Sequence, residues 1–366
     1  MDLIRKLYNN DLDIIGDIHG EYDALITMIE NLGYDLEGNH PNNRKLVFIG
    51  DFCDRGPDSP AVILLVKKLI ENGNAQAVLG NHEINLLNKE AKDGAGWYFP
   101  KREIKDGEYE PFKRVSDVER EVIYDFLSNL PIALERGDLR VIHASWNNEK
   151  IEELRNTNEL SIRDFCKKWL EQVDIKINET GLLDKYKAEQ KKWKNELNDK
   201  LCENIENLPY TAEYNLIHQS SNPIKVLTAG IEELSPEPFY ASGKWRFVRR
   251  AKWWDSYEDE TPVIVGHYWR KLTPIISGQV YGGENLFKGI SPLSWHGKNK
   301  NVFCVDYSVG ARFKDRHNEN IIHTTDLVAL NWPEKTLTLE NGTILKTEDF
   351  KNNETIRKNN DSRSYR

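Results

Sequence analysis

Short apolar runs recur early in the chain, and each run ends at a glycine followed by polar residues. The runs occupy residues 12–15, 46–49 and 77–79. Runs of about four apolar residues closed by glycine are typical of buried parallel strands. The segments between them are long enough for a crossover helix. The pattern therefore predicts a βαβαβ unit.

The segments between the predicted strands carry apolar residues at helical spacing. The stretch 21–32 has this spacing and predicts the first crossover helix. A second helix is predicted to begin at Asp58 or Ser59, either of which can cap it, with Pro60 at its first position. A further helix is predicted over 116–130, where caps and apolar periodicity coincide.

The chain becomes highly charged over residues 149–206, where two helices are predicted at 149–173 and 182–205. We interpret this region as a helical insertion beside the site. The alternative is a solvated surface hairpin with no role in substrate choice. The remaining chain from 1 to 350 is expected to form one domain around this insertion.

Strand character returns in the last third of the chain, at 263–265 and 302–306. Residues 327–330 and 336–339 are predicted to be antiparallel strands that close a second sheet. From residue 351 to 366 almost nothing is apolar, so this tail is predicted to be disordered.

Composition narrows the classes of function. The formal charge of −9 argues against general nucleic-acid binding and against adhesion to anionic membranes. The sequence contains no run of about 18 apolar residues, so no membrane span is predicted. The four cysteines are far apart and form no CxxC pair, as in reduced cytoplasmic proteins. We therefore expect a cytoplasmic protein, with its oligomeric state left open.

Polar blocks follow each of the first three strands. They read GDIHG at 16–20, GDFCDRG at 50–56 and GNHE at 80–83. Loops that leave the carboxyl ends of neighbouring parallel strands converge on one crevice. The residues expected to share that crevice are Asp17, His19, Asp51, Asp54, Arg55, Asn81 and His82. This combination indicates a hydrolytic metal centre with a phosphate anchor.

These blocks resemble the motifs of the calcineurin-like metallophosphoesterases, and within them the phosphoprotein-phosphatase branch. That branch includes Ser/Thr protein phosphatases and symmetrical diadenosine tetraphosphatases. Its motifs GDxHG, GDxxDRG and GNHE are followed by a histidine after a later strand and by a Gly-His pair. His143 and His267 stand in those two places. The resemblance implies an α/β fold, a four-layer α/β/β/α metallophosphatase sandwich.

The resemblance also implies a pair of divalent metal ions. It places Asp17 and His19 on the first ion, Asp51 as the bridge, and Asn81, His143 and His267 on the second. Carboxylate, amide and imidazole donors without thiolate suit Mn²⁺, our first choice, with Fe or Zn²⁺ as alternatives.

Residues next to the expected metal ligands are expected to bind phosphate and to transfer a proton. The planar fork of Arg55 suits bidentate contact with a phosphoryl group. His82 is placed to protonate the leaving oxygen, and Asp54 can hold that imidazole protonated. Alternatively, Asp54 pairs with Arg55 or caps a turn. Glu83 is expected to cap the helix that follows.

A second phosphate-binding arginine is expected in the basic, aromatic segment 244–254. Arg250 is our first choice, and the other candidates are Arg246, Arg249 and Lys252. The cations and aromatic rings of this segment could instead stack on a nucleobase. A third interpretation is that the segment is the edge of a strand or helix whose tryptophans pack against the protein. The histidines without a motif, which are expected at the surface, are His40, His218, His296, His317 and His323.

The expected reaction is hydrolysis of a phosphomonoester or phosphoanhydride by a metal-bridging hydroxide. A nucleotide-like substrate is slightly favoured, because the basic aromatic segment could hold a base. The alternative is a Ser/Thr protein phosphatase acting on a phosphoprotein. A further alternative, of another class, is a metal-bound scaffold without catalysis that binds a partner through its helical insertion.

Overall fold

The structure of the chain is a computed structural model that describes residues 2–159, 161–202, 205–241, 243–272, 285–316 and 325–351. The strands are β1 (Ile4–Lys6), β2 (Leu12–Ile15), β3 (Lys45–Phe48), β4 (Ala75–Ala77), β5 (Ala133–Arg136), β6 (Leu139–Ile142), β7 (Glu232–Ala241), β8 (Lys244–Arg250), β9 (Val263–Val265), β10 (Val302–Cys304), β11 (Val328–Trp332), β12 (Thr336–Leu339) and β13 (Ile344–Lys346). The α-helices are α1 (Tyr22–Asn31), α2 (Ser59–Glu71), α3 (Asn81–Leu87), α4 (Asp117–Ser128), α5 (Asn148–Arg155), α6 (Ile162–Glu179), α7 (Leu182–Lys192), α8 (Pro209–Ser221) and α9 (Pro223–Ala229). The predicted α/β class is confirmed.

The strands form a five-stranded sheet, a six-stranded sheet and a ribbon. Their orders are β1-β5-β6-β9-β10, β13-β12-β11-β2-β3-β4 and β7-β8. Strands β2, β3 and β4 pair in parallel, with α1 and α2 as crossovers, so the predicted βαβαβ unit is confirmed.

Strands β11 and β12 are antiparallel, as predicted. The prediction that they close a second sheet was wrong. Strand β11 pairs with β2 on the side opposite β3, with Leu330 beside Ile14. The two strands therefore extend the sheet that carries the first three motif loops, because β2 offers an open edge there.

Alternate residues of β3 face two different hydrophobic clusters. Val47 packs in a cluster with Val141 and Ile264, which belong to the five-stranded sheet. Phe48 packs in the other cluster, which contains Leu25 of α1 and helix α2. Because side chains alternate along a strand, one face of the six-stranded sheet meets the other sheet and the opposite face meets helices. The four-layer order of the sandwich stays a prediction.

The charged region contains more helices than predicted. The first predicted helix is split into α5 and α6, because the Ser161 hydroxyl accepts a hydrogen bond from the Asp164 N–H and starts a new helix. Helix α7 ends at Lys192, and α8 and α9 follow beyond residue 206. The limits of the insertion stay a prediction, and the predicted tail beyond residue 351 lies outside the described residues. In the described ranges, no helix is long and apolar enough to cross a membrane.

Candidate active site

Loops from both large sheets converge on one buried cluster. Strands β2, β3 and β4 are followed by Asp17, Asp51 and Asn81, and strands β6 and β9 are followed by His143 and His267. All are buried except Asn81, which is half-buried. The convergence expected from the sequence therefore extends across two sheets rather than one.

The site loops hold several of their residues in the left-handed backbone region. The φ angle is 48° at His19, 50° at Asp51, 73° at Asp54, 68° at Arg55 and 67° at His267. This region costs a residue with a side chain about 1–2 kcal/mol. Such strain concentrates at functional sites, where the surrounding structure must hold it.

Two glycines let the loops approach the site side chains closely. A Cβ atom on Gly310 would lie 2.2 Å from Cδ2 of His19. A Cβ atom on Gly266 would lie 2.1 Å from Oδ1 of Asp17. Both distances are far below van der Waals contact, so any larger residue at these positions would displace the site.

Backbone carbonyls fix the orientation of two histidines. Nδ1–H of His19 donates to the carbonyl oxygen of Cys53 at 2.9 Å, and Nδ1–H of His143 donates to that of Ile49 at 2.8 Å. The Nε2 atoms lie 3.8 and 3.3 Å from Oδ2 of Asp51. With Nδ1–H engaged in this way, Nε2 is the ring nitrogen left to bind a metal, the arrangement usual for metal-binding histidines.

Several electron-pair donors of the site have no hydrogen-bond partner among the residues that the structure describes. They are Oδ1 of Asn81, Nε2 of His143 and Nε2 of His267, all buried. A buried polar atom without a partner is rare and costly. Three of them in one place fit a bound cation.

Two groups of side chains can hold a metal ion. Their donor atoms lie within 4.8 Å of one another, and the groups are His19–Asp51–His82 and Asp51–His143–His267. Asp51 belongs to both groups, in keeping with its expected role as a bridge. Asp17 belongs to neither group, and its Oδ2 accepts from the N–H of His267 at 3.1 Å.

A cation would stabilise the buried carboxylates of the site. Burial, reinforced by Asp306, holds the pKa of Asp17 well above its usual value. Burial also raises the pKa of Asp306 to about 6. Burial alone would lower the pKa of His143, but Asp51 and Asp17 outweigh it and raise that pKa to about 10. A positive ion among these groups would relieve the repulsion between the carboxylates.

Asp306 was not among the site residues expected from the sequence. It is buried and accepts hydrogen bonds from the backbone N–H groups of Trp269 and Ser308 at 2.9 and 2.8 Å. The signal was present, because Asp306 follows an apolar run, as Asp17 and Asp51 do after one intervening glycine.

The two residues expected to form the acid–base pair are in contact. Nδ1 of His82 lies 2.5 Å from Oδ2 of Asp54, and Nε1–H of Trp97 donates to Oδ1 of Asp54 at 2.6 Å. Burial lowers the pKa of His82, but Asp51 and Asp54 outweigh it and the net shift is upward. Both oxygens of Asp54 are thus engaged away from Arg55, which disfavours the alternative pairing.

The guanidinium of Arg55 faces the same centre. Its Nη1 lies 3.1 Å from Nε2 of His19, and its Nη2 lies 3.2 Å from Nε2 of His82. Its Cζ lies 5.2 Å from the centre of the Trp269 ring. The stacking contact orients a planar fork toward the cluster.

Glu83 does more than cap α3. Its side chain is fully buried and accepts from the backbone N–H of Gly80 at 2.9 Å, of Asp51 at 2.8 Å and of Phe52 at 2.8 Å. One carboxylate thus ties the second motif loop to the third. Sequence reasoning identified the first of these bonds as a cap but gave no signal for the other two.

Among the cations proposed as a second phosphate ligand, Arg250 contacts the site. Its Nη1 donates to the carbonyl oxygen of His267 at 3.4 Å, and its Cζ lies 5.7 Å from the Tyr268 ring. Arg249 instead binds Glu233 at 2.9 Å. A phosphate-binding role for Arg250 stays a prediction.

The aromatic residues of the same segment are structural. Trp253 and Trp254 are buried in the hydrophobic core, and Nε1–H of Trp245 donates to the carbonyl oxygen of Asp199 at 2.9 Å. These contacts favour the interpretation that the segment packs its tryptophans over stacking on a nucleobase.

The surface position expected for the histidines without a motif was wrong for His296. Its ring is 1% exposed and packs edge-on to Trp254 at 4.9 Å. His40 and His218 are partly exposed. The remaining two, at positions 317 and 323, lie outside the described residues.

A sequence model of the calcineurin-like phosphoesterase family matches residues 12–204, more than half of the chain's 366 residues. The chain belongs to this family. The match contains the three motif loops and His143, and it confirms the resemblance expected from the motifs. In this calcineurin-like phosphoesterase, Arg250 and His267 lie beyond the matched segment.

The chain is similar in part to proteins named asymmetrical bis(5'-nucleosyl)-tetraphosphatase PrpE. It is 38% identical to that of Bacillus velezensis over 148 residues, which cover 36% of this chain and 55% of the relative. It is 48% identical to that of Halalkalibacterium halodurans over 73 residues, which cover 19% of this chain and 30% of the relative. The chain thus spans about half or less of the length of these relatives.

The chain is similar to a solved structure of a cold-active protein-tyrosine phosphatase from a Shewanella species. The alignment covers 95% of this chain and 83% of the phosphatase chain. The identity is 14% and the TM-score is 0.47. A likeness at this level carries no argument about the site or its substrate.

Proposed function

We propose that this protein is a metal-dependent phosphohydrolase that cleaves phosphomonoesters or phosphoanhydrides. The observation that carries the proposal is Asp51, whose carboxylate belongs to two potential metal-binding groups beside the fork of Arg55. The residues proposed to hold two divalent ions, with Mn²⁺ preferred to Fe or Zn²⁺, are Asp17, His19, Asp51, Asn81, His143 and His267. Such ions supply a nucleophilic hydroxide and neutralise charge on the phosphoryl oxygens.

The other site residues bind the phosphoryl group and move a proton. Arg55 contacts the phosphoryl oxygens with two parallel N–H donors, and Arg250 adds a second cation. His82 protonates the leaving oxygen, and the contact of its Nδ1 with Asp54 favours the protonated imidazole. Trp97 fixes the other oxygen of Asp54 and so orients the imidazole.

A nucleotide-like substrate is the preferred proposal. It is supported by the relatives named as bis(5'-nucleosyl)-tetraphosphatases, whose similarity covers part of this chain. The second candidate is a phosphoserine or phosphothreonine in a protein, as the phosphoprotein-phosphatase motifs imply. A scaffold without catalysis is disfavoured, because Arg55, His82 and Asp54 retain the contacts that catalysis needs.

The test is a substrate panel on metal-stripped protein reloaded with Mn²⁺, Fe²⁺ or Zn²⁺. We expect hydrolysis of p-nitrophenyl phosphate and of diadenosine tetraphosphate, and loss of bound metal with loss of turnover in Asp51→Asn, since a neutral amide is a poor bridge between two dications. A phosphoserine peptide in the same panel tests the second candidate. Tightly bound metal with normal turnover in Asp51→Asn, or no hydrolysis of any substrate by the metal-loaded wild type, would overturn the proposal.

A further inference from the structure

Three aromatic or imidazole rings contact the guanidinium of Arg55, the proposed phosphate anchor. Nη1 lies 3.1 Å from Nε2 of His19, Nη2 lies 3.2 Å from Nε2 of His82, and Cζ lies 5.2 Å from the centre of the Trp269 ring. Among the residues that the structure describes, no carboxylate forms an ion pair with Arg55. The ring contacts are therefore the ones that orient the guanidinium.

Two of these contacts involve atoms that the proposed function assigns to other tasks. Nε2 of His19 is a proposed metal donor, and His82 in its protonated form is the proposed general acid. A nitrogen that binds a metal ion has no lone pair left to accept a hydrogen bond from Arg55, and neither has a protonated imidazole. The contact with Trp269 requires no lone pair. Of the three contacts, it is the one that is compatible with the proposed reaction.

An aromatic ring can orient a guanidinium without using its hydrogen-bond donors. Arginine stacks on aromatic rings through its flat face, whereas its N–H donors lie in the plane of the fork. Such a contact leaves the donors available for phosphoryl oxygens. A carboxylate would occupy two of them and neutralise the charge. The ring also restricts a long side chain, which lowers the conformational entropy lost when phosphate binds.

The backbone of Trp269 is held by the neighbouring segment 306–308. Oδ2 of Asp306 accepts from the N–H of Trp269 at 2.9 Å, and its carbonyl oxygen accepts from the N–H of Arg270 at 2.8 Å. The hydroxyl of Ser308 donates to the carbonyl oxygen of Arg270 at 2.7 Å. Asp306, Ser308 and Arg270 are buried, and Trp269 is half-buried. Three hydrogen bonds in buried surroundings thus fix the main chain from which the ring reaches Arg55.

The main chain of Arg55 is held independently of its guanidinium. Its N–H donates to the carbonyl oxygen of Gly94 at 3.3 Å, and its carbonyl oxygen accepts from Nη1 of Arg316 at 3.3 Å. These bonds fix the backbone but leave the side-chain torsions of Arg55 undetermined. The ring of Trp269 acts on those torsions.

We propose that Trp269 is a positioning residue, which keeps the fork of Arg55 directed at the phosphoryl group while His19 and His82 perform their own tasks. Asp306 supports this role by fixing the backbone of Trp269. The inference rests on the proposed phosphohydrolase function. Trp269 acts through Arg55 rather than on the substrate, so its effect should disappear when Arg55 is removed.

The experiment measures the dissociation constant of inorganic phosphate for the Mn²⁺-loaded protein by calorimetry, which needs no turnover. Trp269→Leu removes the ring but keeps an apolar side chain, and we expect it to raise this constant about 2- to 30-fold, the range for losing a cation–π contact. Trp269→Phe keeps a smaller ring and should recover part of the loss. Bound metal should equal that of the wild type in both variants, because tryptophan offers no metal ligand.

The matched control is Trp193→Leu in the charged helical region. Trp193 is also half-buried beside a cation, since Nζ of Lys192 lies 5.0 Å from the centre of its ring. This control should leave phosphate affinity unchanged.

A second arm repeats Trp269→Leu in an Arg55→Ala background. With no guanidinium to orient, the substitution should change phosphate affinity no further. A loss of equal size in both backgrounds would overturn the proposal, because the ring would then act on the site by another route. Unchanged phosphate affinity in Trp269→Leu alone would also overturn it.

Turnover of p-nitrophenyl phosphate separates this inference from the proposed function. Trp269→Leu should raise KM and lower kcat in the same direction as Arg55→Ala but by a smaller factor, since the cation remains. Wild-type protein whose phosphate affinity depends on Trp269 but which hydrolyses no substrate would refute the proposed function and leave the positioning role standing. Wild-type hydrolysis with a phosphate affinity independent of Trp269 would do the reverse.

Discussion

Replacing Glu83 by glutamine tests how the second and third motif loops are held together. Oε2 of Glu83 accepts from the N–H groups of Gly80 and Asp51, and Oε1 accepts from that of Phe52. Glutamine has one acceptor oxygen, so its NH₂ group must face at least one buried N–H donor. Leaving a buried donor unsatisfied costs about 1–3 kcal/mol. We expect Glu83→Gln to lower the free energy of unfolding by about this amount.

Glu83→Ala removes the three backbone bonds, together with a weaker one from the Cys53 thiol, and should lower the free energy of unfolding by about 3–9 kcal/mol. That loss is comparable to the whole stability of an ordinary domain, which is about 5–15 kcal/mol. Urea unfolding followed by tryptophan fluorescence measures both variants in the presence of chelator. The matched control is Glu119→Gln in α4, because Glu119 holds the same helix position but is only partly buried, and it bonds Ser116 at 2.9 and 2.6 Å.

The control should lose less than about 0.5 kcal/mol, as surface substitutions do. Similar losses at Glu83 and Glu119 would refute the reasoning, since burial is the property that separates the two glutamates.

Two further predictions concern the chemistry. His82→Ala should slow hydrolysis of alkyl phosphates by about 10²–10⁴-fold, because the leaving oxygen then lacks its proton donor. p-Nitrophenyl phosphate has a good leaving group and should lose less rate; equal losses for both substrates would remove His82 from the acid role. Arg55→Ala should raise KM and lower kcat together, since the guanidinium contacts the phosphoryl group before and during reaction. Arg55→Lys should recover only part of the loss, and inhibition by free phosphate measures the contact directly: an unchanged inhibition constant in Arg55→Ala would contradict it.

The sequence best predicted those strands and helices that a local residue pattern determines. Apolar runs that end in glycine marked β2 and β3, and the polar residues after them fall at the site as expected. The position of Asp58 before Pro60 likewise located the start of α2, whose cap is Asp58.

Features that depend on distant contacts could not be predicted in this way. Strand β7 reads EELSPEPFYA, and its prolines and acidic residues disfavour a strand; its pairing with β8 decides its structure. His296 is enclosed by Trp254 and Phe287, which lie far from each other in sequence. Glu83 ties two loops through backbone N–H groups, which carry no side-chain signature.

The left-handed backbone at His19, Asp51, Asp54, Arg55 and His267 bears on how this protein can be engineered. Glycine adopts this backbone without a steric penalty of about 1–2 kcal/mol, although it loses about 0.5–1 kcal/mol more conformational freedom on folding. The backbone alone thus favours glycine at these positions, against the side-chain contacts that a substitution would remove. The balance is most even at Arg55, which is half-buried, whereas Asp54 accepts two buried hydrogen bonds. A thermostability screen that scores unfolding alone would tolerate the loss of the proposed phosphate anchor, so it needs turnover as a second criterion.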